Sequence, residues 1–181
     1  LVGAHKNDTN GADAGSAYLY KFSESGNATF TIDNSLQILA SDASLNDRFG
    51  YSVAIDGNYA LVGAYGNNVG TIEDAGSAYL YKFRESSNAT FIIDNSLQIF
   101  ASDISADDEF GYSVAINGNY VLLGSHENNI NSVSNVGSAY LYKFSEDNVS
   151  FNDLGTIPDV SGYAYNAFNN KLDISNSFIG K

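Results

Sequence analysis

The sequence predicts an all-β fold, an array of about three four-stranded antiparallel blades, and three observations carry that reading. A long segment recurs: FGYSVAIDGNYALVGAYGNNVGTIEDAGSAYLYKF, from Phe49 to Phe83, returns 61 residues later as FGYSVAINGNYVLLGSHENNINSVSNVGSAYLYKF, from Phe110 to Phe144. Within it, apolar residues alternate with small or polar ones at a period of two, the mark of a strand with two distinct faces. Asp-Gly and Asn-Gly pairs punctuate the alternation, and these residues tolerate the positive φ that tight hairpins need. A repeat of this length points to a propeller, solenoid or array.

The second copy shows the elements in order. Phe49, Tyr51, Val53 and Ile55 alternate with Gly50, Ser52 and Ala54 to make the first strand. Asp56-Gly57 turns the chain, and Asn117-Gly118 does so in the next copy. The return strand runs from about Tyr59 to Ala64, followed by a polar loop over Tyr65 to Gly76. The third strand, Ser77 to Phe83, sets Tyr79, Tyr81 and Phe83 on one face and Ala78, Leu80 and Lys82 on the other. Its counterparts are Tyr18, Tyr20 and Phe22, and Tyr140, Tyr142 and Phe144. A fourth strand spans Phe91 to Ala101, with a bulge expected near Asp94-Asn95-Ser96. No segment carries a sustained 3.6-residue period, so helix is expected to be negligible. Four strands per repeat match one blade of a β-propeller. The whole chain, 1–181, is expected to form one repeat domain, with repeats at about 1–60, 61–121 and 122–181.

The last repeat is divergent. Glu146 to Asn166 matches poorly and contains the only proline, Pro158. The pattern returns near the end, where Phe168 takes the Phe-Gly position, Leu172-Asp173-Ile174 resembles Val114-Ala115-Ile116, and Phe178-Ile179-Gly180 resembles the return strand. The two ends therefore share nearly the same phase. The chain opens inside a repeat without an initiator Met, which points to a mature fragment or a segment of a longer product.

Composition narrows the function classes. Eight Lys+Arg against 21 Asp+Glu leave a net charge of −13, so nucleic acid and anionic membrane surfaces are repelled. There is no cysteine, hence no disulfide framework or thiolate metal site. No apolar run reaches the roughly 18 residues of a membrane span, so no membrane insertion is expected. Catalytic signatures are missing: there is no Gly-x-Ser-x-Gly elbow and no phosphate loop, and neither His5 nor His126 has a recognisable partner in sequence. An enzyme is not expected.

Five groups of residues are candidate sites. Asp8, Asn10 and Asp13 place oxygen ligands at alternating spacing, loosely like a calcium loop, but Asn and Asp also favour turns for backbone reasons. The acidic loops add Asp42 and Asp47, then Asp103, Asp107, Asp108 and Glu109, again without the full calcium pattern. His5 and His126 share one phase of the repeat and would line one face, where they could bind a metal or sense pH, although Tyr65 interrupts the series. The tyrosine and phenylalanine stripes could stack on sugars, but packing of blade on blade is the better reading, because each sheet has two faces to bury. Sequons at Asn7, Asn27, Asn88 and Asn148 lie in polar loops and are candidate glycosylation positions.

The repeat resembles the FG-GAP family, known from the integrin alpha-subunit propeller and many extracellular proteins. Phe49-Gly50-Tyr51-Ser52-Val53-Ala54, Asp56-Gly57 and Leu61-Val62-Gly63-Ala64 carry the likeness. Ser41-Asp42, Asp47-Arg48 and Gly76-Ser77-Ala78-Tyr79 extend it to the short variant of the family. The resemblance implies a β-propeller-like fold and a secreted, extracellular or cell-surface protein that binds or builds. Two departures stand out. His5, Tyr65 and His126 replace the proline of the family name, and the integrin-type calcium loop is absent, so no calcium site or other cofactor is carried over.

Closed propellers typically need four to eight blades. Three repeats leave an open array, or one completed by neighbouring chains, and matching ends favour a head-to-tail contact that closes into a ring or runs on as a filament. The expectation is therefore an extracellular structural unit whose partners are copies of itself. The alternative is a fragment of an adhesion propeller that binds a protein or glycan ligand.

Overall fold

A computed structural model of the chain describes residues 1–26, 29–130, 133–145 and 151–158. Eleven strands lie in these residues: β1 (Val2–Ala4), β2 (Ser16–Ser25), β3 (Thr29–Ile38), β4 (Ser52–Asp56), β5 (Tyr59–Ala64), β6 (Ser77–Glu85), β7 (Phe91–Ile99), β8 (Phe110–Asn117), β9 (Tyr120–Ser125), β10 (Ser138–Phe144) and β11 (Phe151–Pro158). They form three antiparallel meanders, ordered β1-β2-β3, β4-β5-β6-β7 and β8-β9-β10-β11. Among the described residues there is no helix, and none is therefore long and apolar enough to cross a membrane.

The sheets stack because each central strand is apolar on both faces. In β6, Tyr79, Tyr81 and Phe83 pack with Phe49, Ala60, Val62 and Ala64 against Ala17, Leu19, Ile38 and Ala40 of the first sheet. The opposite face, Leu61, Ala78, Leu80 and Ile99, packs against Phe110, Val114, Leu123, Tyr140, Tyr142 and Phe144 of the third. The aromatic stripe of one sheet thus always meets the Ala/Leu face of the sheet before it.

Backbone also meets backbone at each junction. Arg48 and Phe49 N–H donate to the carbonyls of Asp13 and Ala14, and Glu109 and Phe110 N–H repeat the pattern on Asp74 and Ala75. Gly15 bridges Phe49 in parallel, as Gly76 bridges Phe110. A Cβ on Gly76 would lie 2.2 Å from the Phe110 carbonyl oxygen, and its φ of +79° is itself a glycine conformation. This close approach explains why the repeat carries glycine immediately before Ser-Ala-Tyr.

Several elements differ from expectation. Phe49 does not open β4, which starts at Ser52, whereas its counterpart Phe110 does open β8, although both phenylalanines bridge the preceding glycine in the same way. β7 ends at Ile99 rather than Ala101. The bulge falls where expected: Lys82 pairs with Asn95 and Phe83 with Ile93, leaving Asp94 as the extra residue. β11 completes the third sheet despite its weak pattern. It is an edge strand, which needs pairing on one side only, and Pro158 closes it where the missing N–H is harmless. The first sheet has three strands among the described residues, with β1 at an edge where β5 and β9 each pair a further strand. The Phe168–Gly180 match lies outside the described residues.

Candidate functional site

The most unusual surface is the outer face of the first sheet. β2 alternates, so Ala17 and Leu19 point to the second sheet and are buried, while Tyr18, Tyr20 and Phe22 point away. The bulge at Asp33, equivalent to that at Asp94, returns Ile32 and Phe30 to the same outer face. Phe22 and Phe30 meet edge to face at 5.5 Å, as Phe83 and Phe91 do at 5.9 Å. The difference is cover. Phe22 is 60% exposed, Phe30 63%, Ile32 65% and Val2 53%, whereas Phe83 is 8% exposed and Val62, the counterpart of Val2, is fully buried. Contiguous exposed apolar surface of this kind marks an interaction site. At the other end, Leu122, Leu141 and Ala139 of the third sheet occupy the positions of Leu61, Leu80 and Ala78 and are only half-buried.

A second feature is an aromatic ladder across all three sheets. His5 meets Tyr51 edge-on at 5.2 Å, Tyr51 meets Tyr65 at 4.6 Å and Tyr112 at 4.8 Å, and Tyr112 lies 3.9 Å from the His126 ring. The Tyr51 and Tyr112 hydroxyls are hydrogen-bonded at 2.9 Å, which with burial pushes the Tyr112 phenol up to about 12. The shared phase of His5, Tyr65 and His126 therefore does place them along one line, with Tyr51 and Tyr112 interleaved.

His126 does have partners, contrary to the sequence reading. Its Nδ1 is 3.2 Å from Glu109 and its Nε2 3.5 Å from Glu127. The two carboxylates stand against different ring nitrogens, and one ligand atom from each of Glu109, His126 and Glu127 lies within 4.8 Å of the others, a spacing at which the three could hold a metal ion. Burial, then Glu127, Asp74 and Asp107, raise Glu109 to about 7. The signal in the sequence was a charge reversal: Arg48 holds the position of Glu109 in the previous copy and pairs with Asp13 at 2.7 Å.

The third feature lies inside the junctions. Tyr79 donates its hydroxyl to Asp42, as Tyr140 does to Asp103 at 2.6 Å. Asp47, 1% exposed, accepts the Ser44 N–H at 2.6 Å, and Asp108, fully buried, accepts the Ser105 N–H at 2.7 Å. Burial raises both carboxyls, Asp47 to about 6.

The remaining sequence candidates are spread apart. Asp8 accepts the Asp13 N–H at 2.8 Å, and Asn68 and Asn129 brace Asp74 and Asn135 in the same way. Asp13, Asp74 and Asn135 all have positive φ, so the Asp/Asn pattern of these loops is explained by turn chemistry. Asn10 is exposed beside them. Among the sequons, Asn88 is exposed in the turn after β6, while the half-buried Asn7 donates to the Tyr18 hydroxyl at 3.3 Å. Asn27 and Asn148 lie outside the described residues.

No curated protein matches the chain. A family model described as the FG-GAP repeat matches residues 34–81 and 96–142. Each match runs from the last strand of one sheet into the third strand of the next, so it spans a complete junction. Together the two matches cover just over half of the residues, and the chain belongs to the FG-GAP repeat family.

Proposed function

We propose that this protein is a non-enzymatic, extracellular structural repeat unit that associates head to tail with copies of itself. The observation that carries the reading is the uncovered outer face of the first sheet. Tyr18, Tyr20, Phe22, Phe30 and Ile32 are the counterparts of Tyr79, Tyr81, Phe83, Phe91 and Ile93, which are covered by the preceding sheet. The complementary surface exists on the same molecule: Leu122, Leu141 and Ala139 at the far end present the Ala/Leu chemistry that the aromatic stripe meets at each internal junction.

A second argument comes from sequence. β1 sits at a sheet edge where the other two sheets have β4 and β8, and Phe168–Ile174 has the residue pattern of that strand. A neighbour that stacked its third sheet on Tyr18, Tyr20 and Phe22 would repeat between copies the junction seen between sheets. Such a contact is heterologous, so it builds a ring or a filament according to the rotation between copies. Exposed glycan acceptors such as Asn88, and a net charge of −13, fit an extracellular polymer kept soluble between its contacts.

The test is the oligomeric state of the purified chain by light scattering and electron microscopy, alongside a Phe22→Glu, Ile32→Lys variant. Rings or filaments in the wild type, lost in the variant with the sheets intact by circular dichroism, are the expected result. A monomer at high concentration would overturn self-association. It would leave the ligand-binding propeller reading, for which the ladder of exposed Tyr51 and His126 with half-buried Tyr65 and Tyr112 is the surface to probe with glycans and peptides.

A further inference from the structure

We propose that Glu109, His126 and Glu127 bind a divalent transition-metal ion of the zinc class where the second and third sheets meet. The ligands are the residue before β8 and the two residues after β9. None of them belongs to the faces proposed to meet between copies, so the site does not depend on self-association.

Three observations point to this ion. The first is placement. Phe110 pairs with Ser125, so the register sets Glu109 opposite His126 at the adjoining ends of β8 and β9. Glu109 Oε2 is 3.2 Å from His126 Nδ1, Glu127 Oε1 is 3.5 Å from Nε2, and one ligand atom of each residue lies within 4.8 Å of the other two. Two ligands about 2.0–2.1 Å from a tetrahedral zinc lie about 3.3–3.4 Å apart, so Glu109 and Nδ1 already stand at ligand spacing. The Glu127 side chain is 38% exposed and has room to swing across to join them. The Tyr112 ring lies 3.9 Å from the imidazole and its hydroxyl is tied to that of Tyr51, a support that holds the histidine in one orientation.

The second is charge. Glu109 N–H donates to the Asp74 carbonyl and Asp107 N–H to the Glu73 carbonyl, both at 3.1 Å, so two acidic loops come together here. The charged groups that bear on Glu109 are Glu127, Asp74 and Asp107, all of them acids. Among the described residues, the ion pairs of Glu109 and Glu127 are with His126 alone. One imidazole carries at most a single positive charge, and a dication between the carboxylates would offset more of their repulsion.

The third is a break in the repeat. The copies Phe49 to Phe83 and Phe110 to Phe144 agree closely along their strands, yet where the later copy has Glu109, His126 and Glu127 the earlier one has Arg48, Tyr65 and Gly66. Arg48 pairs with Asp13 at 2.7 Å, so the first junction has a cation of its own. A Cβ on Gly66 would lie 2.3 Å from the Asn46 carbonyl oxygen, which leaves no room there for a glutamate. The three ligands therefore enter together, in the junction that lacks the arginine. Imidazole with carboxylate suits zinc, cobalt, nickel or copper, whereas calcium and magnesium take oxygen ligands. Three protein ligands leave a fourth position for water or for a donor from a second molecule.

The test uses the full chain, stripped with a chelator and titrated at neutral pH with zinc by calorimetry and with cobalt(II) by absorption. We expect one saturable site per chain, the visible bands of cobalt in a low-coordinate nitrogen and oxygen site, and no displacement of zinc by an excess of calcium. E109R and H126Y give the third sheet the residues that the second already carries. Each should weaken zinc binding at least about tenfold, since even the outer partners of a metal's ligands are worth that much. H5Y, the matching change at the other histidine, should leave binding intact, and in that variant the remaining imidazole is His126, whose NMR ring signals should move with zinc. No zinc uptake by the wild type, uptake undiminished in E109R or H126Y, or displacement by calcium would overturn the proposal. Should E109R and H126Y not fold, His126 ring signals that zinc leaves unmoved in H5Y would overturn it equally.

Discussion

The first and second sheets are near copies in sequence, yet the same stripe of residues is surface in one and core in the other. Tyr20 is 36% exposed and Phe22 60%, against 5% and 8% for Tyr81 and Phe83. Nothing local distinguishes them: both stripes ride on the third strand of a meander, and both are followed by a one-residue bulge, at Asp33 and at Asp94. What differs is the preceding neighbour. The second sheet has the Ala17 and Leu19 face of the first to lie on. The comparison shows that a sheet of this repeat cannot bury its aromatic face alone, and that the burial is a property of the junction.

The largest expected effect breaks the comparison at its core. Phe83→Ala removes a buried ring and should destabilise the chain by about 3–4 kcal/mol, whereas Phe22→Ala in the dissociated chain should cost less than about 1 kcal/mol. Denaturant unfolding at low protein concentration checks this pair. Equal losses would mean that Phe22 is already covered in the isolated chain. Under associating conditions the gap should narrow, since Phe22 then meets a partner.

A smaller effect sharpens the contrast through hydrogen bonds. Tyr79→Phe deletes the hydroxyl that donates to Asp42, a bond to a charged acceptor worth about 1.5–3 kcal/mol. Tyr18→Phe loses a part-buried contact with the Asn7 amide at 3.3 Å and an exposed one with Gln37, both to neutral groups, and should change stability by less than about 1 kcal/mol. Thermal melts of the two single variants, read side by side, make the measurement.

The smallest effect concerns acidity. Asp47 is raised from 3.8 to about 6, mainly by burial and then by Asp42 and Asp74. Glu109 is raised from 4.5 to about 7, by burial and then by Glu127, Asp74 and Asp107, with His126 against it. Raised carboxyls hold protons that the unfolded chain releases, so stability falls as pH rises through about 4 to 7. The Tm should therefore be a few degrees higher at pH 5 than at pH 8, given about 2–4 °C per kcal/mol for a chain of this size. D47N should flatten that slope; a Tm that climbs with pH would contradict the assignment.

Much of the architecture was legible in the sequence because it is local. Alternation, the Asp-Gly and Asn-Gly turns and the bulge beside Asp94 are written in neighbouring residues, and the 61-residue period supplied the number of units. β11 was not legible, because an edge strand is recruited by the open edge of β10 and needs little pattern of its own. The Glu109–His126–Glu127 contact was missed because Glu109 and His126 are far apart along the chain and meet only where β8 and β9 pair at their ends. By itself, then, the sequence determined strands, turns and two-faced sheets, all set by backbone preference and short-range sterics. Tertiary structure alone decided which faces are covered, which aspartates are sealed from water and which histidine gains acidic partners, because burial and electrostatics depend on neighbours that the chain reaches only by stacking one sheet upon another.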